Sequence, residues 1–386
     1  MSQGYAAADL TVLPGAPPSQ LSTELGLVDE GTFAYRSLAL QFRYRVSDDG
    51  SLVVQLAHER NGESVVDGFR DEVELDWAFY QHNVADRFRL RVGRFPLSFG
   101  AFNEIRDVGT LLPLYRPSAA VYGENTFTSE TIDGLSWAYR DEFAGGSALE
   151  VDAYAGQYDA FESSPLAPTV LEPVEARDIF GFQLWVDPPV DGLRIGAHVQ
   201  TLKQSGGLVG LARALGEEST LDDYLASIVY EGEAWFARAE HRWLRPSDLQ
   251  PGFGGDFDAE LSSWYAHIGR RFGELGTLLV LQLEGNHYEV SLSAFNEFVE
   301  FDPILDLGLA LRYAIRPEVM LKVELHRYRE EQVTSRLSAS SAGVGGSVSS
   351  ATGELSNAVA AATNRLLQVV ELDEGTYGIL AVSVSF

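Results

Sequence analysis

The stretch Leu305–His326, LDLGLALRYAIRPEVMLKVELH, decides the fold. Its first half sets Leu305, Leu307, Leu309, Leu311, Tyr313 and Ile315 on one side. Its second half sets Val319, Leu321, Val323 and Leu325 opposite Lys322, Glu324 and His326. Alternation at period two makes a strand with one apolar and one polar face. Arg316–Pro317 leaves room only for a tight turn, so the two strands read as a hairpin.

Working outward, the same pattern fills the chain. Leu38, Leu40, Phe42, Tyr44 and Val46 alternate with Gln41, Arg43 and Arg45. Val73, Leu75, Trp77 and Phe79 alternate with Glu72, Glu74 and Asp76, and Arg87, Arg89 and Arg91 interleave with Phe88, Leu90 and Val92. The periodicity predicts sixteen strands, near 22–30, 36–46, 51–59, 72–82, 86–95, 132–140, 148–157, 179–188, 192–202, 222–230, 233–243, 261–270, 276–286, 305–315, 317–328 and 376–386. Most span roughly 9–11 residues, the length of a tilted membrane strand. Residues 1–21 are left as an N-terminal extension of a single 1–386 domain.

Connections alternate short and long. The short ones centre on Asp48–Gly50, Asn83–Ala85, Asp187–Asp191, Glu231–Gly232, Phe272–Glu274 and Arg316–Pro317; the long ones span 96–131, 158–178, 203–221, 244–260, 287–304 and 329–375. A soluble sandwich has little reason to gather its long loops at one end, whereas an outer-membrane barrel does so, with an even strand number. The polar faces carry many charges, and unpaired buried charge is costly. The apolar faces must therefore look outward and the charged faces must line something wet. Tyr44, Trp77, Tyr139, Trp243, Trp264 and Tyr313 are candidates for interfacial aromatic girdles. The expected fold is all-β, a sixteen-stranded antiparallel transmembrane β-barrel.

Composition narrows the function. The 386 residues carry 28 Lys plus Arg against 56 Asp plus Glu, a net charge of -28, which argues against nucleic acid as a partner. Cysteine is absent, which removes disulfides, zinc thiolates and cysteine nucleophiles. No apolar run is long enough for a membrane helix. Met1–Leu10 has neither the basic region nor the apolar core of a signal peptide. Seven histidines show no metal-binding spacing, and no GxSxG, GxGxxG or P-loop occurs. No catalytic residue, cofactor site or enzyme activity is expected. The acidic stretches Asp256–Glu260 and Glu297–Asp306 offer ligands for loop-bound Ca2+ without the calcium-hand spacing. Residues 337–364 are rich in Ser, Ala and Gly and read as a mobile outer loop or a short helix.

Two segments carry a family resemblance: GRFPLSFGAFNEIRDVGTLLPLYRP, Gly93–Pro117, and the final strand TYGILAVSVSF, which ends on an aromatic residue. With the long connection 96–131 after the fifth predicted strand, they resemble the sixteen-stranded trimeric bacterial outer-membrane porins, in particular a phosphate-porin-like branch. The resemblance implies an inward-folded third outer loop that narrows the pore, a homotrimer, and contact with outer-membrane lipid and lipopolysaccharide. It also implies recognition of Phe386 by the barrel assembly machinery and export through a signal peptide absent from this chain. The chain departs from its phosphate-selective relatives in having only two lysines, Lys203 and Lys322.

The expected function is a water-filled channel for ions and small hydrophilic solutes. The alternatives are a channel selective for carboxylate-bearing or other anionic solutes, a barrel enzyme, and a soluble β binding protein. Candidate pore-lining residues are Arg43, Arg45, Arg87, Arg89 and Arg91 on the walls, facing Glu104, Asp107, Glu124 or Glu130 on the loop. Opposed charges across a narrow passage orient dipolar solutes. Pairing of the arginines with Glu72, Glu74 and Asp76 is the structural alternative. Arg106 is expected to face the lumen, and Arg116, between Tyr115 and Pro117, to anchor the loop.

Overall fold

The computed structural model describes residues 1–10, 25–27, 31–64, 72–123, 129–164, 167–206, 219–247, 257–273, 277–292, 297–333 and 370–385. Its strands are β1 (Ser2–Leu10), β2 (Thr32–Arg45), β3 (Gly50–Asn61), β4 (Glu74–Ala85), β5 (Phe88–Pro96), β6 (Thr131–Glu142), β7 (Ala148–Ser164) and β8 (Ala167–Asp187). They continue as β9 (Leu193–Gly206), β10 (Ser219–Glu231), β11 (Trp235–Ser247), β12 (Phe257–Phe272), β13 (Thr277–Leu292), β14 (Glu297–Arg316), β15 (Val319–Val333) and β16 (Val370–Val384). Each pairs antiparallel with its chain neighbours, and β1 pairs with β16 to close the barrel.

The seam corrects the sequence reading. The first strand is Ser2–Leu10, inside the expected extension, and not 22–30. Of 22–30, only 25–27 lie among the described residues, and they form no strand. β1 was illegible because Gly4, Ala6 and Ala8 turn inward and Tyr5 is the one large side chain on the outward set, so little hydrophobic contrast remains. Ser2 and Ser383 are partners in the β1–β16 register, and their hydroxyls meet at 2.8 Å. The Met1 ammonium donates to the Val384 carbonyl at 2.9 Å, and the Val384 N–H donates to the Met1 carbonyl at 2.7 Å.

Elsewhere the alternation sorts side chains as expected. Leu305, Leu307, Leu309, Leu311, Tyr313 and Ile315 are exposed on the outside of β14, while Asp306, Ala310 and Ala314 are buried inside. Several strands run beyond the expected lengths: β8 has 21 residues and β14 has 20. They take up most of the predicted loops 158–178 and 287–304. The extensions lack a clean polar–apolar contrast, so period two does not report them.

The second correction concerns β4. Gln55 pairs with Trp77 and Leu56 pairs with Leu75, which leaves Asp76 as an extra residue. One inserted residue reverses the facing of everything beyond it. Val73 and Leu75 stay exposed outside, but Trp77 and Phe79 turn inward and are buried. Trp77 is thus no girdle residue. Phe79 packs edge-on to Phe95 at 6.5 Å, beneath the Arg91 guanidinium at 5.5 Å from its ring. Gly93, opposite Phe79, has φ +122, and a Cβ there would lie 2.5 Å from the Ala78 carbonyl oxygen.

The altered phase has a measurable consequence. Phe79→Ala should cost about 3–5 kcal/mol, the cost of emptying a packed interior site. Leu75→Ala, on the outward side of the bulge, should cost clearly less. Urea unfolding of the barrel in lipid compares the two, and equal costs would contradict the inward phase.

Candidate functional site

The inner wall is polar, and its two halves differ. Around β9–β16, inward polar residues are almost wholly covered: Gln200, Asp223, Arg242, Ser263, Asp306 and Lys322 are each at most 1 % exposed. On β2, Arg43 and Arg45 are open to solvent. The difference comes from residues 97–123, between β5 and β6, whose Leu97, Phe99, Phe102, Leu112, Leu114, Val121 and Tyr122 are buried.

Three groups of wall residues hold this segment. In the first, Glu240 on β11 accepts the Tyr122 hydroxyl, the Tyr265 hydroxyl at 2.7 Å and the Ala101 N–H at 3.0 Å. Beside it, Arg242 makes a two-pronged contact with Asp223 at 2.8 and 2.7 Å, and donates to the Val121 carbonyl at 3.4 Å. Both members of that pair are fully buried, and the Arg242 guanidinium lies 5.1 Å from the Phe99 ring. The short helix Ala119–Tyr122 packs on β11, β12 and β13. Burial, with Glu240 alongside, raises the Tyr122 hydroxyl's pKa well above its usual value, so it stays a donor.

In the second group, Lys322 donates to the Leu114 carbonyl and Glu324 accepts the Tyr115 N–H. Arg312 donates to the Thr110 carbonyl. Behind them, His326 meets Asp306 at 2.7 Å and stacks on Tyr377 at 4.4 Å.

The third group lies on β3 and β4. The Gln55 amide donates to Asp76 and to Asp107, each at 2.8 Å. Arg106 pairs with Glu130, and Arg116 lies 3.8 Å from Glu59. Burial, then Glu130, Asp76 and Glu59, holds the Asp107 carboxyl's pKa well above the usual carboxylate range, against the pull of Arg106.

The sequence candidates separate accordingly. Arg89 on β5 lies 3.6 Å from Asp152, and Arg91 lies 3.0 Å from Glu104. These two arginines, with Arg43 and Arg45, form a basic strip on the inner wall of β2–β5. Arg91 and Arg45 share one register row through Gln81 and Ser51. Three strand spacings separate them, roughly 14 Å. Arg87 is outside this strip: it precedes β5, is exposed, and donates to Asp141 at 2.8 Å. Glu74 and Glu72 are exposed, and neither is the arginines' partner, which are Asp152 and Glu104. Asp76, Asp107 and Arg106 sit in the contact between the segment and the wall, Arg106 with only 5 % of its side chain exposed. Glu124, the Ca2+-candidate side chains of 256–259 and 297–303, and residues 337–364 lie outside what the structure describes.

Glu240, Arg242, Asp223, Lys322, Glu324 and His326 were missed as holders of the segment. Their one sequence signal is a polar residue at an inward strand position, which dozens of others share.

The buried Arg242–Asp223 pair gives a direct test. Arg242→Ala leaves Asp223 charged and alone, and should cost about 3–5 kcal/mol. Replacing both, as Arg242→Met with Asp223→Leu, should recover most of that loss. Unfolding midpoints of the two barrels in lipid decide it; equal losses would show that the cost lies in packing.

No protein-family model and no curated protein sequence matches the chain. Solved structures do. The trimer form of OmpT, an outer-membrane protein of Vibrio cholerae, aligns over 100% of this chain and 97% of its own, with 10% identity and a TM-score of 0.53. The outer-membrane channel DcaP of Acinetobacter baumannii aligns over 100% and 95%, with 10% identity and a TM-score of 0.53. An anion-selective porin from Comamonas acidovorans aligns over 100% and 99%, with 11% identity and a TM-score of 0.51. At such identities the likeness is one of fold: the chain has the closed sixteen-stranded barrel of outer-membrane porins and channels.

Proposed function

We propose that this chain is a non-catalytic outer-membrane porin whose residues 97–123 form an inward-folded third outer loop that sets a water-filled passage. The observation that carries the reading is the unequal inner wall. The segment covers the polar residues of β9–β16 and leaves the arginines of β2 in solvent. The passage therefore runs along the basic strip, bounded by Glu104 on the loop side. The apolar outer faces of the strands meet lipid, with the long connections and lipopolysaccharide on the outer side. A homotrimer inserted through recognition of Phe386 completes the reading; Phe386 itself lies outside the described residues.

The strip favours small anions and carboxylate-bearing solutes. Charges within about one Debye length, ~8 Å at physiological salt, dominate the potential felt by a permeating ion. The acids that give the chain its charge of -28 count only where they fall inside that range. Phosphate specificity, which a phosphate-porin-like branch would suggest, has little support. Lys203 pairs with Asp178 at 3.0 Å, and Lys322 is buried under Leu114, so neither serves the passage.

Replacing Arg43 and Arg45 by Ser should shift the reversal potential in a salt gradient toward cations without altering barrel stability. The shift should be largest at ~0.1 M salt and nearly vanish at ~1 M, where the Debye length falls to about 3 Å. An unchanged reversal potential in planar bilayers would remove the strip from the passage.

The orientation is separately testable, because the chain has no cysteine of its own. A cysteine placed at Asp48 should resist an impermeant thiol reagent on intact cells, and one at Ser164 should react. The opposite pattern would invert the barrel.

A further inference from the structure

The third anchoring group carries more negative charge than its neighbours balance. Glu59 on β3, Asp76 at the β4 bulge, and Asp107 and Glu130 at the two ends of the loop's contact crowd one place. Glu59, Asp107, Glu130, Arg106, Arg116 and Tyr115 line a single small cavity. Three carboxylates and two guanidiniums line it, and Asp76, next to Asp107 and Glu130, adds a fourth acid, so the group stays net negative. The cavity holds about 20 Å³, room for one water-sized occupant.

Two geometric features point to what fills it. One carboxylate oxygen from each of Asp76, Asp107 and Glu130 lies within 4.8 Å of the others. The three oxygens are thus close enough to share one cation. Three converging carboxylates suit calcium, which takes about 6–8 oxygen ligands, better than magnesium, which keeps several of its waters. Independently, the Tyr115 hydroxyl on the same cavity has no hydrogen-bond partner, although Tyr115 is only 5 % exposed. A buried hydroxyl left unpaired costs free energy, and a hydrated cation beside it supplies the missing partner.

We propose that Asp76, Asp107 and Glu130 bind one calcium-sized divalent cation, completed by water that the Tyr115 hydroxyl contacts, and that this ion ties residues 97–123 to the bulge of β4. The ion bridges Asp107 within the loop and Glu130 just after it to Asp76 on the barrel wall. It makes the loop's hold on β3 and β4 dependent on divalent cation. The other two anchors, at Glu240 and at Lys322, need no ion. The bulge gains a purpose: the extra residue lets Asp76 reach Asp107 while Trp77 and Phe79 turn inward.

Equilibrium dialysis of the full-length barrel in detergent, stripped with EDTA and titrated with radioactive calcium, tests this. One tight site per chain should stand above weak binding to exposed acids, and magnesium should compete at least about tenfold less well. Asp107→Asn and Asp76→Asn should each abolish the tight site and leave the weak background. Tyr115→Phe, which keeps the ring, should weaken the site several-fold. Only weak binding in the wild-type chain would overturn the proposal and leave the carboxylates balanced by protons. A tight site surviving in both Asn variants would overturn it too. The wild-type stoichiometry decides the matter even if a variant fails to fold, and since the readout is binding, it stands apart from any test of ion flow.

Discussion

In hydrocarbon a backbone N–H or C=O has no water to turn to, so a sheet that crosses a membrane has to close on itself. The pairing of β1 with β16 meets that demand, and the rest of the structure depends on it. Closure fixes which side of every strand is inside. It turns period-two alternation into an apolar exterior and a polar interior. It also draws the chain's weakest strand signal, Ser2–Leu10, into the barrel: once β2 and β16 are in place, their free edges have to be filled.

A closed barrel of this width leaves an interior that side chains from the wall do not fill. Residues 97–123 meet inward side chains of β11, β14 and β15. Backbone groups of the segment meet Arg242, Lys322, Glu324 and Arg312, each a charged side chain reaching a carbonyl or N–H of the segment. A buried charge is tolerable where an opposite charge matches it, as Asp223 matches Arg242. Specific polar contacts of this kind fix one position for the segment, where an apolar plug would slide. The uncovered Arg43 and Arg45 of β2 are what this arrangement leaves facing water, while Arg91 of β5 meets Glu104.

Much of this was legible in the sequence. Fifteen of the sixteen strands, their direction, the outward set on β14 and β15 and the long connection after β5 follow from spacing alone, because hydrocarbon outside and water inside write a two-residue period; the total of sixteen agreed only because 22–30 stood in for Ser2–Leu10. Two strands escaped it. β1 carries too little apolar contrast, and β4 carries an added residue at Asp76 that reverses its phase midway. A bulge is set by register against the neighbouring strand, and Glu72, Glu74 and Asp76 look like an unbroken polar face until Gln55 is found opposite Trp77.

Among the candidate residues, the sequence by itself determined that Arg43, Arg45, Arg89 and Arg91 point inward, since strand parity alone dictates facing. Only the tertiary structure decided that Arg106 and Asp107 belong to a loop-to-wall contact, that Arg87 lies beyond the strip, and that Glu240, Arg242 and Lys322 hold the loop. The contacts of Glu240, Arg242 and Lys322 with the loop join residues more than a hundred positions apart. Parity says which way a side chain points; what it meets depends on which far segment crosses the barrel in front of it, and no local spacing encodes that.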